Sequence, residues 1–144
     1  MVEQDTIKLL RECDAGVKMG ISSLGDVIKY VSNDGFKKVL TKCKNEHDKL
    51  ESEIGEELLK YNDDGKEPAI MAKGMSWIKT NVMLSVDESD ETVADLITDG
   101  CNMGVKSLNK YLNKYKAADE VSKDIAKRLI NLEEELLLNI REYL

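Results

Sequence analysis

Apolar residues recur along most of the chain at alternating intervals of three and four, the spacing that places them on one face of an α-helix. The pattern predicts five helices, over about residues 3–32, 35–62, 67–86, 90–115 and 119–144. No segment shows the strict alternation of a half-buried strand. Pro68 is the only proline among 144 residues, as expected of long uninterrupted helices. The predicted fold class is therefore all-α.

Short polar turns join the first helix to the second and the fourth to the fifth, so each pair is expected to form an antiparallel hairpin. An internal repeat supports two related halves: CDAGVK at 13–18 aligns with CNMGVK at 101–106, with four of six positions identical. Gly16 and Gly104 become equivalent, which predicts a close crossing of their helices. These features predict one domain over residues 1–144, an antiparallel four-helix bundle on the ferritin-like plan, with 67–86 as an extra crossover helix.

Charge and cysteine usage narrow the class of protein. With 28 acidic and 21 basic residues the net charge is −7, which disfavours a nucleic-acid partner. No segment has the roughly 18 consecutive apolar residues of a membrane span, and the first residues lack a signal-peptide pattern. The three cysteines are widely spaced and contain no CxxC pair, which is typical of reduced thiols. We expect a cytoplasmic protein with neither nucleic acid nor membrane as a partner.

Two polar residues interrupt the otherwise apolar helix faces: Asp14 in the first helix, and His47, the only histidine, in the second. A buried carboxylate must be paired or take up a proton. For Asp14 the partner could be Lys18 one turn on, Asn102 through the internal repeat, or a metal ion. His47 is expected to be satisfied within the core by a carboxylate or a backbone carbonyl.

Three stretches carry a resemblance to a known family: AKGMSWIK at 72–79, TDGCN at 98–102, and residues 106–112. They resemble a bacterial family of ferritin-like four-helix bundles, a domain of unknown function. The resemblance implies an all-α bundle, and it suggests a di-metal carboxylate site. Cys101 stands where the family motif has a glutamate, and Asn102 where it has an acidic residue.

A ferritin-like di-iron site needs a Glu from each of two helices and a Glu-x-x-His from each of two others. The chain has one histidine, and Lys44 lies three residues before it, so only a degenerate site is predicted. An oxygen-rich alternative for iron or manganese would draw on Asp14, Glu53, Cys101, Asn102, Glu133 and Glu134. If the first two helices are antiparallel about a turn near residues 33 and 34, Asp14 lies level with Glu53. It then lies about 10 Å from His47 along the bundle axis. Cys13 lies about 16 Å beyond Cys43 and His47, which disfavours a zinc site.

Two functions follow. The first is a binding or assembly module without catalysis or cofactor, because no phosphate loop or serine–histidine pairing is present. In this alternative the run of leucines at 136–138, with Tyr143 and Leu144, predicts a second apolar face for self-association or a protein partner. The second is a divergent di-metal carboxylate protein that binds iron or manganese in a redox or storage role.

Overall fold

The computed structural model describes residues 2–68 and 89–144. They form four α-helices and a short 3₁₀ turn: α1 Val2–Ile28, α2 Asp34–Leu59, α3 Asp90–Lys114, α4 Glu120–Asn139, and the turn Arg141–Tyr143. No strand occurs in this part of the chain. The all-α prediction is confirmed, as are four of the five predicted helices. The other one, predicted over about 67–86, lies almost entirely outside the described residues.

Helices α2, α3 and α4 are each capped by the residue that precedes them. The side-chain oxygen of that residue accepts a hydrogen bond from a backbone amide that has no partner within the helix. Asn33 accepts from the amide of Phe36 at the start of α2, at 2.9 Å. Ser89 accepts from the amide of Thr92 at the start of α3, at 3.2 Å. Asp119 accepts from the amide of Ser122 at the start of α4, at 2.8 Å.

The helix α1 ends four residues before the predicted boundary at 32. The amides of Ser32 and Asn33 donate to the two carboxylate oxygens of Asp90, at 2.7 and 2.9 Å, instead of continuing the helix. Periodicity does not reveal this boundary because the acceptor is 57 or 58 residues away in sequence. The contact places the end of α1 beside the start of α3.

Two other helices also end earlier than predicted. Helix α2 stops at Leu59 rather than 62, since Asn62 adopts a left-handed backbone (φ 55°) and the amide of Asp63 donates to the carbonyl of Leu58. Helix α4 stops at Asn139, after which the ring of Tyr143 stacks on Phe36 with centroids 4.4 Å apart. That stacking anchors the last residues against the first turn of α2.

In the part of the chain that the structure describes, the core consists of two apolar clusters that meet near the middle of the helices. Cys43 and Cys101 belong to the cluster beside the α1–α2 turn, whereas Leu50 and Leu108 belong to the cluster at the other end. His47 lies between Cys43 and Leu50, at the boundary. Within 2–68 and 89–144, no helix has both the length and the apolarity that a membrane span requires.

Candidate ligand cavity

A buried histidine joins α2 to α4 at the boundary between the two apolar clusters. His47 is 1% exposed, and its Nε2 lies 3.0 Å from Oε1 of Glu133. Its Nδ1 lies 2.8 Å from the backbone carbonyl oxygen of Cys43. A carbonyl only accepts, so Nδ1 must carry a hydrogen and donate it. Both ring nitrogens therefore have partners, as the sequence predicted for this residue.

The space for the imidazole comes from Gly20 on α1. A Cβ at Gly20 would lie 2.7 Å from Cδ2 and 2.9 Å from Nε2 of His47. Both distances are below normal van der Waals contact, so a side chain at this position would displace the ring. Three helices thus build the environment of the histidine.

The neighbours of His47 favour its protonated form. Burial by itself lowers the pKa of His47, but hydrogen bonds to Cys43 and Glu133 and the charge of Glu133 raise it to about 10. At neutral pH the ring is therefore an imidazolium that donates from both nitrogens, facing the carboxylate of Glu133. The two charges cancel, and the pair is neutral as a whole.

Two thiols flank this pair, and the surroundings of one of them, Cys101, disfavour its thiolate form. Burial, followed by the charge of Glu133 and a hydrogen bond to it, holds the pKa of Cys101 well above its ordinary value. The sulfur of Cys43 lies 3.6 Å from Nδ1 of His47. We call Cys43, His47, Cys101 and Glu133 the polar cluster.

Among the described residues, a cavity of about 350 Å³ lies between α1 and α3, next to the polar cluster. His47, Cys101 and Glu133 reach its wall. Most of the remaining wall is apolar, and it includes Leu24, Ile97, Leu108, Leu129 and Leu136. The cavity therefore combines an apolar surface with a few convergent polar groups, the usual composition of a small-molecule site.

Four glycines line the same cavity in two pairs spaced four residues apart: Gly16 and Gly20 on α1, and Gly100 and Gly104 on α3. The nearest atoms to a Cβ at Gly16 or Gly104 would be side-chain atoms of α4, 3.7 Å away. The expected close crossing of α1 and α3 at Gly16 and Gly104 is thus not what these glycines provide. They leave room between the helices instead.

A charged network holds the segment after α2 against α1 at the rim of the cavity. Lys18 forms an ion pair with Asp14 at 2.7 Å, and the amide of Lys66 donates to Asp14 at 3.0 Å. The ammonium of Lys66 also forms an ion pair with Glu12. Of the partners proposed from sequence for Asp14, the structure shows Lys18, with a backbone amide that sequence reasoning did not anticipate.

Of the other predicted metal ligands, Cys101 and Glu133 lie together in the polar cluster, whereas Glu53, Asn102 and Glu134 lie elsewhere. The carboxylate of Glu53 accepts from both terminal nitrogens of Arg128, at 2.8 and 2.5 Å, and that hydrogen bonding lowers the pKa of Glu53. Asn102 and Glu134 are exposed. Across 2–68 and 89–144, no three His, Cys, Asp or Glu side chains are placed to hold a metal ion. The described residues do not fit a di-metal carboxylate centre.

Sequence reasoning missed Gly20, Gly100 and the pairing of Glu133 with His47. The signal for the glycines was present, since each of two long helices carries two glycines four residues apart in its interior. Glycine is unfavourable there by roughly 0.5–1 kcal/mol relative to alanine, so each one needs a reason. The partner of His47 could not be read from spacing, because it depends on how α4 packs against α2.

No protein-family model matches the chain, and no curated protein or solved structure is similar enough to count as a match. The resemblance to a ferritin-like family therefore stays a prediction.

Proposed function

We propose that this protein is a helical binding module that takes up a small, mostly apolar organic molecule between α1 and α3. The observation that carries the proposal is the 350 Å³ cavity beside the polar cluster. Its volume falls within the range of about 300–1,000 Å³ that is typical of ligand pockets. Four glycines at its wall lower helix stability but leave space, because glycine has no side chain. This arrangement is expected where a ligand fills that space.

The chemistry of the polar cluster favours binding over catalysis. His47 already has a partner at each ring nitrogen, and burial, together with the charge of Glu133, holds the thiol of Cys101 in its protonated form. Catalysis would need a group whose protonation changes near neutral pH within reach of a substrate. The buried pair is better suited to orienting a ligand than to transferring a proton.

We infer that the helices form two antiparallel hairpins in the ferritin-like order. Contacts between helix ends support this inference. Asp119 and Ala117, just before α4, donate to Thr6 and Asp5 at 2.8 and 3.0 Å, beside the start of α1. The start of α3 lies instead beside the end of α1, through Asp90. Such contacts are expected if α1 is antiparallel to α3 and parallel to α4.

Titration with a neutral apolar fluorophore, N-phenyl-1-naphthylamine, tests the binding proposal. We expect saturable binding to the wild type and its loss in Gly104→Leu, whose side chain would enter the cavity. Gly55→Leu is the matched control, because a Cβ at Gly55 has no atom of the described residues within 4 Å. Circular dichroism establishes that both variants are folded, and Gly16→Leu provides a second block of the cavity.

Two outcomes would count against the proposal: no saturable binding by the wild type, or equal binding by Gly104→Leu and the wild type. A parallel titration with Fe(II) or Mn(II) addresses the metal alternative. If binding of an organic molecule is the function, the metal ions leave the melting temperature unchanged while the fluorophore raises it.

A further inference from the structure

Resting on the proposed function, we propose that the ligand carries a neutral hydroxyl group, an alcohol or a phenol, which donates a hydrogen bond to Glu133. The remainder of the molecule would be apolar and fill the space beside the four glycines. The geometry and the charge of the polar cluster determine which chemical class the cavity selects.

The geometry leaves an acceptor of Glu133 facing the cavity. Oε1 is occupied by His47 at 3.0 Å. Oε2 lies on the side of Gly104, where a Cβ would be 3.7 Å from it, and Gly104 lines the cavity. A carboxylate offers about four lone-pair positions, more than His47 and the thiol of Cys101 can fill. A ligand donor that reaches the cavity wall beside Gly104 would therefore find an acceptor in the carboxylate of Glu133.

The charges select a neutral donor. Glu133 is balanced by the imidazolium of His47, and at the rim Glu12 is balanced by Lys66. An ammonium group would bring a charge with no free counter-charge among the described residues that line the cavity, and a ligand carboxylate would face Glu133 as a like charge. A hydroxyl adds no charge and forms a charge-assisted hydrogen bond. A pure hydrocarbon would leave the acceptor unfilled.

Four probes of one shape test the inference: naphthalene, 2-naphthol, 2-naphthoate and 2-naphthylmethylammonium, each measured by equilibrium dialysis at neutral pH. We expect 2-naphthol to bind about tenfold or more tightly than naphthalene, the size of effect that a hydrogen bond to a charged group produces. Both charged probes should bind more weakly than 2-naphthol.

A double variant, His47→Met with Glu133→Met, assigns the preference to this pair. Replacing both members by apolar side chains of similar size avoids an unpaired buried charge. It should keep the binding of naphthalene and bring the two neutral probes to equal affinity. The matched control is Glu53→Met with Arg128→Met, which removes another α2–α4 ion pair from an exposed position. That control should keep the full preference for 2-naphthol.

The outcomes separate this inference from the proposed function. Equal affinity of the wild type for naphthalene and 2-naphthol, or tightest binding of either charged probe, overturns the hydroxyl assignment while the cavity still binds. A preference that persists in the His47→Met, Glu133→Met variant overturns the role of Glu133. Failure of all four probes to bind the wild type overturns both proposals.

Discussion

At the scale of single residues, the pair of His47 and Glu133 links the stability of the fold to pH. Folding raises the pKa of His47 from 6.5 to about 10. The folded state therefore holds a proton that the unfolded chain releases as the pH rises above 6.5. The stabilisation from the pair is complete below pH 6.5 and is lost as the pH rises through about 10.

We predict that the free energy of unfolding falls by about 2 kcal/mol between roughly pH 6 and pH 8, through this one group. Urea denaturation at the two pH values measures the difference. The decrease should disappear in the His47→Met, Glu133→Met variant and remain in Glu53→Met, Arg128→Met. An equal decrease in all three proteins would place the responsible titration elsewhere.

Gly65, in the segment after α2, has a left-handed backbone with φ 93°. A Cβ there would collide with the carboxylate of Asp14, the residue that receives the amide of Lys66. Gly65→Ala should therefore lower the free energy of unfolding by about 2 kcal/mol. Thermal denaturation beside Gly55→Ala checks it, and a variant as stable as the wild type would contradict this placement of the segment after α2.

At the scale of elements, the glycines of α1 and α3 differ in what surrounds them, and so should their alanine variants. A Cβ at Gly16 or Gly104 meets its nearest atom at 3.7 Å, an ordinary contact. Gly16→Ala and Gly104→Ala should each gain roughly 0.5–1 kcal/mol from helix propensity, as Gly55→Ala should.

Gly20→Ala should change the free energy of unfolding in the opposite direction, because its Cβ would lie 2.7 Å from the imidazole of His47. We expect a net loss of stability, together with a weaker dependence of stability on pH as the ring moves from Glu133. Urea denaturation of the four alanine variants gives the comparison. If Gly20→Ala were as stabilising as Gly55→Ala, the imidazole would not occupy this position.

The helices were predictable because their apolar faces repeat locally, and the partner of Asp14 was among the predicted ones because Lys18 lies one turn away. What periodicity could not supply were contacts between distant parts of the chain. The end of α1 depends on Asp90, and the state of His47 depends on Glu133, 86 residues later. The predicted ligand Glu53 pairs with Arg128 for the same reason, since α2 packs against α4.

At the scale of the whole molecule, apolar side chains remain exposed at the end of the chain. Leu138 and Leu144 are 55% and 53% exposed. Self-association through this face stays a prediction. Light scattering over a range of concentrations tests it: a dimer mass that returns to the monomer value in Leu138→Gln would support it, and a constant monomer mass would contradict it.

The binding of a small apolar molecule with one polar group between α1 and α3 is the proposal on which the others rest. A crystal structure with 2-naphthol bound tests it most directly. We predict the rings between α1 and α3 beside Gly16 and Gly104, with the hydroxyl oxygen about 2.5–2.7 Å from the carboxylate of Glu133. A structure with α1 and α3 packed against each other and no space between them, or with the naphthol bound elsewhere, would contradict the claim.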